Sequence, residues 1–157
     1  MATKKPLVMG SDGRPQQLQS GDTIANAADT GQVTQTAAAT LVAGNAVYTS
    51  GADAVNKAQA NASGTKDVLG LATAAISSSA SGTIQTNGIV ALTTTQWDAV
   101  AGTTGGLAPN AIYFLDPATA GKITATPPTT AGQYVCEVGR ALSTTEFLID
   151  IRSPILL

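Results

Sequence analysis

Residues 110–141 read NAIYFLDPATAGKITATPPTTAGQYVCEVGRA, and residues 45–72 read NAVYTSGADAVNKAQANASGTKDVLGLA. Each stretch opens on Asn-Ala-aliphatic-Tyr, at Asn45-Ala46-Val47-Tyr48 and Asn110-Ala111-Ile112-Tyr113. Each carries a lysine nine residues after its tyrosine, Lys57 and Lys122. Each then reaches an aliphatic run ending in Gly-x-Ala, at Gly70-Leu71-Ala72 and Gly139-Arg140-Ala141. The offset is 65 residues at the asparagines and 69 at the glycines, so the second stretch is longer by four, expected around Pro127-Pro128. Anchors repeated in one order read as a duplicated structural unit.

The period inside the unit is two. Tyr134, Cys136 and Val138 fall on one face of their run, with Val135 and Glu137 on the other. Phe147, Ile149 and Ile151 point one way, with Asp150 and Arg152 the other. Such alternation over a short run marks a half-buried strand. Clusters of Gly, Pro, Asn, Asp, Ser and Thr separate the runs and supply the turns. The expected fold is all-β, a small antiparallel barrel or sandwich built from two related repeats.

Working outward, residues 41–157 form the duplicated domain, with one repeat at 41–92, a linking helix at 93–104 and the other repeat at 105–157. Thr94 or Thr95 is the expected helix N-cap and Gly102 the residue that ends it. Trp97 on this helix reads as a plug for one open barrel end, or alternatively as a contact for a partner. The run Thr83 to Leu92 reads as a strand broken at Asn87-Gly88. Residues 1–40 read as an arm and linker: a hairpin about Asp12-Gly13, then a stretch of little periodicity with a short strand at Gln32–Thr36. A two-stranded hairpin this poor in apolar residues is marginal alone and has to dock on something. The apolar end Pro154-Ile155-Leu156-Leu157 reads as an oligomer interface or a groove-bound tail.

Composition narrows the function classes. Only 11% of residues are charged, against about 25% in ordinary domains, so Thr, Ser, Asn and Gln cover the surface. That suits a protein packed against neighbours in a lattice or fibre, a composition that some disordered linkers share. A net charge of −2 gives no electrostatic footprint for nucleic acid. No apolar run reaches the eighteen or so residues of a membrane span, and the first ten residues do not read as a secretory signal. The chain has no histidine, and its single cysteine, Cys136, reads as a buried, reduced thiol. No spacing fits a metal site, a phosphate loop or an activated nucleophile, so the expectation is a non-enzyme without catalytic residues, metal or cofactor.

The order Gly88-Ile89-Val90-Ala91-Leu92, a short helix, residues 110–124, Gly139-Arg140-Ala141 and residues 147–152 resembles small capsid decoration (cement) proteins of tailed bacteriophages. Residues 4–8 with 17–23 are similar to the opening of phage fibre proteins, and residues 152–157 to the ending of head-fibre and decoration chains. The resemblance implies a structural virion protein on the capsid exterior, bound to the major capsid protein and commonly a homotrimer. Capsid attachment is then expected of the arm, through Lys4, Lys5, Leu7, Val8, Met9 and Leu18. A head-fibre or tail-fibre module remains the alternative, and a host-carbohydrate-binding module a lesser one.

Overall fold

A computed structural model of the chain describes residues 7–9, 15–17 and 31–157, the first two stretches as backbone alone. The expected N-terminal hairpin is present: β1 (Leu7–Met9) pairs antiparallel with β2 (Pro15–Gln17), Val8 opposite Gln16.

Five strands then close into a barrel: β3 (Gln32–Ala37), β4 (Ala46–Gly51), β5 (Ala54–Lys57), β6 (Gly70–Ala72) and β7 (Ser81–Gln85). Their order is β3-β5-β4-β6-β7, antiparallel except for the closing β3–β5 pair. So narrow a barrel has room for small side chains, and its interior is Ala37, Leu41, Val47, Val55, Ala72, Ile76 and Ile84. Its outside presents hydroxyls and amides, with Gln32, Thr34, Thr49, Ser50 and Ser81 exposed.

The chain leaves this barrel at Asn87 and Gly88, the latter at φ 79°, and enters a second sheet. The remaining elements are β8 (Gly88–Ala91), α1 (Thr94–Ala101), β9 (Ile112–Leu115), β10 (Ile123–Thr124), β11 (Tyr134–Val135), β12 (Glu137–Ala141), β13 (Glu146–Ile149) and β14 (Ile155–Leu156). The second sheet runs β10-β9-β12-β13-β8. Read from β5, the barrel runs β5-β4-β6-β7-β3. The two orders correspond strand for strand. The difference is closure: β3 pairs with β5, whereas β8 and β10 do not pair, and α1 packs against β10. The larger core lies here, around Trp97, Val100, Leu107, Tyr113, Leu115, Ile123 and Phe147, and it runs on into Ala46, Ala58, Ala60 and Leu71 of the barrel.

Several boundaries differ from those the sequence suggests. The short strand expected at Gln32–Thr36 within the linker is present as Gln32–Ala37, and it belongs to the barrel, held by β7 over five register pairs. Gly88–Ala91 was expected in the first repeat but pairs with β13 of the second sheet. The helix N-cap is Thr93, whose hydroxyl accepts from the Gln96 amide while the Gln96 side chain accepts from the Thr93 amide; two capping groups fix the start one residue early. The run at 134–138 is split at Cys136, with a register shift between Glu137 and Gly139. Lys57 pairs opposite Val47, but Lys122 lies in the turn before β10, its carbonyl accepting from Asp116. The lysines therefore occupy different registers. The added length sits in that β9–β10 turn, where β4 and β5 are joined tightly at Gly51 and Ala54.

The repeated glycines do share a role. A Cβ on Gly70 would run into the carbonyl of Gln85, and one on Gly139 into the carbonyl of Leu148. In each sheet that carbonyl belongs to the next strand, so Gly-x-Ala marks where two strands approach too closely for a side chain.

Candidate interaction surfaces

Trp97 projects from α1 into the core. It is fully buried, tilts on Phe147 at 5.5 Å between ring centroids, and its indole N–H donates to the Thr145 carbonyl at 2.9 Å. The partner-contact reading of Trp97 is therefore corrected: no part of the ring reaches the surface. It anchors the helix over the second sheet, and Tyr113 meets Phe147 edge-on beneath it.

Also on α1, Asp98 organises the turn that follows the helix. Its carboxylate accepts from Gly106 N at 2.8 Å, Gly105 N at 3.0 Å and the Thr103 hydroxyl at 2.9 Å. These donors, the Gly106 amide foremost, hold its carboxyl below the ordinary range. The arrangement is a loop clamp, with every acceptor directed at the chain's own backbone or hydroxyl. Cys136 lies buried, and desolvation pushes its thiol up to about 11, far from a reactive thiolate at neutral pH. Among the described residues no three His, Cys, Asp or Glu side chains gather as a metal site, and no helix is long and apolar enough to cross a membrane.

The tail is tied down at its backbone and open at its side chains. Beyond β13 the chain stays beside β12 through Arg152 N to Glu137 O at 2.9 Å, and β14 then pairs with β11. Leu157 donates to the Gln133 carbonyl at 2.9 Å and accepts from Gly132 N at 2.9 Å. Yet Ile155, Leu156 and Leu157 are 65%, 60% and 43% exposed, and Pro154 is half-buried. Three aliphatic side chains are thus held out in water, two of them on β14 and the third just past it.

A hollow of about 310 Å³ opens between the barrel and α1, lined by Val42, Ala43, Ala75, Thr95, Gln96 and Ala99. No aromatic ring lines it, so it lacks the stacking platform a sugar site uses. Of the attachment residues expected in the arm, Leu7, Val8 and Met9 form β1, while Lys4, Lys5 and Leu18 lie outside the described residues.

Sequence reasoning missed a further surface. Ile89, Leu142 and Leu148 are all exposed on the outer face of the second sheet. A signal was present: Ile89-Val90 and Phe147-Leu148-Ile149 are apolar at consecutive positions, where a strand wet on one side should alternate.

A scan against protein-family models and a search of curated proteins return no match to this chain.

Proposed function

We propose that this chain is a structural virion protein of a tailed phage, a decoration protein that binds the outside of the capsid through the major capsid protein and stabilises the shell. The observation that carries the reading is a division of surface chemistry on one small β scaffold. The closed barrel presents hydroxyls and amides, while, among the described residues, six of the seven large exposed aliphatic side chains lie on β8 and on residues 142–157. The barrel's surface suits solvent and the exposed aliphatic side chains of the second half suit protein, as a shell-bound module requires. The sequence resemblance points the same way.

In this reading the arm, residues 1–22, grips the capsid by adding its strand to an exposed sheet edge. The exposed tail closes a homotrimer, since closed cyclic symmetry is the common way to bury such a patch. The test uses capsids stripped of the native protein. The full chain should bind in hundreds of copies per particle, and a chain lacking residues 1–22 should stay folded and fail to bind. Undiminished binding without the arm would move attachment elsewhere, and tens of copies or fewer would favour a head-fibre or tail-fibre module. Deleting residues 154–157 should lower the mass of the free assembly; an unchanged mass removes the tail from the interface.

A further inference from the structure

The outer face of the second sheet carries a charge pattern that is complementary to itself. Register pairs set the layout: Ile89 lies opposite Leu148, Leu148 opposite Arg140, and Arg140 opposite Ile112. One step along, Ala91 lies opposite Glu146, and Leu142 donates its amide to the Glu146 carbonyl at 2.8 Å. Arg140 and Leu142 are two apart on β12 and its extension, Glu146 and Leu148 two apart on β13, so all four side chains share the outer face. They form a quartet with the leucines on one diagonal and the charges on the other. All four are exposed, with Leu142 at 46% and Leu148 at 38%.

Among the described residues neither charge takes part in an ion pair. The salt bridges among the described residues join Lys66 to Asp67 and Arg152 to Asp150. The Arg140 guanidinium donates to the Asn110 side-chain oxygen at 3.2 Å, an exposed neutral contact. Aliphatic side chains surround both, and Ile89 is 52% exposed beside Leu148.

We propose that this face pairs with the same face of a second copy about a two-fold axis. An axis lying in the face along the Leu142–Leu148 diagonal brings each leucine against its own copy. The same rotation carries Arg140 of one chain onto Glu146 of the other, twice. Pairing then buries the leucines and Ile89 and satisfies both charges, as an isologous interface requires. Charge complementarity selects a second copy as occupant, because one surface supplies both signs in the arrangement its own rotation needs. The pairing uses neither the arm nor the tail, and it stands whether or not the capsid reading does.

The experiment is charge reversal in the full chain, read by sedimentation velocity over a concentration series at low and high salt. The wild-type mass should rise with concentration by a factor of two, whatever the smaller unit is. Arg140→Glu and Glu146→Arg should each weaken that doubling by about tenfold or more, since each puts like charges together twice. The double reversal should restore it. So should a one-to-one mixture of the two single variants, in which one chain offers two carboxylates and the other two guanidinium groups. Circular dichroism confirms that each variant is folded. A wild type that never doubles, single reversals that leave the doubling intact, or a mixture that fails to restore it would each overturn the proposal. Reversals that change the melting temperature without changing the mass would also overturn it, by showing that the chain covers this face itself.

Discussion

The side-chain amide of Asn45 donates to the carbonyl of Gly121 at 3.0 Å, joining the closed barrel to the β9–β10 turn of the second sheet. The same side chain accepts from Val42 N at 2.9 Å, and Gly121 in turn donates to the Ala58 carbonyl at 2.7 Å. Gly121 sits at φ 79°, and a Cβ there would press on the Asn45 amide. A buried polar side chain that spans two sheets is worth most through what its loss leaves unpaired. Asn45→Ala should cost about 1–3 kcal/mol in denaturant melts. Amide exchange should quicken at Gly121 and Val42 first. Unchanged stability would mean that the apolar core alone holds the sheets together.

Trp97 is the only tryptophan, so its fluorescence reports one site. The native emission should be blue-shifted and resistant to iodide quenching, both lost on unfolding. Trp97→Phe keeps a ring against Phe147 but removes the indole donor, leaving the Thr145 carbonyl with the Leu92 amide alone, an expected loss of about 1–2 kcal/mol. Trp97→Ala empties the centre of the second core and should cost about 3–5 kcal/mol. A native spectrum resembling free tryptophan would contradict this burial.

Gly70 and Gly139 predict matched behaviour in the two sheets. Each faces a backbone carbonyl of the following strand, which cannot move aside as a flexible side chain can. Gly70→Ala and Gly139→Ala should each destabilise by about 1–3 kcal/mol. Gly64 has open space about it and serves as the control, so Gly64→Ala should fall within about 0.5 kcal/mol of wild type. Thermal melts of the three variants decide the matter.

Asp98 makes stability depend on acid. A carboxyl whose pKa is depressed on folding adds stability above its unfolded pKa, and that share is lost as pH falls through the folded value. The Gly106 and Gly105 amides and the Thr103 hydroxyl depress this one. The gap in melting temperature between wild type and Asp98→Asn should therefore be widest near neutral pH and narrow below about pH 4. A gap constant across that range would mean that the clamp works equally well with a neutral side chain.

Much of the local structure was legible in the sequence. Period two at Phe147, Ile149 and their neighbours set which faces are buried, because side-chain alternation is a property of the strand itself. The hairpin at Leu7–Met9 and Pro15–Gln17, the short helix and its end at Gly102 were likewise local. Gly102 adopts φ 64°, the left-handed conformation that the residue after a helix often needs. The repeated Gly-x-Ala correctly flagged a shared constraint, although the repeated lysines did not.

Strand partnership was decided only in three dimensions. Gly88–Ala91 follows β7 by two residues and reads the same whether it ends the first sheet or begins the second. Its partner is β13, more than fifty residues on, and the turn at Asn87-Gly88 allows either course. The outward aliphatic side chains were hidden for a related reason. Period two turns Leu148 outward with Asp150 and Arg152, but by composition Leu148 and Ile89 count as core candidates, and their placement opposite each other on an uncovered outer face leaves them exposed. Periodicity determines which residues share a face. Which neighbour that face meets depends on contacts between distant strands, and those are settled when the whole chain packs.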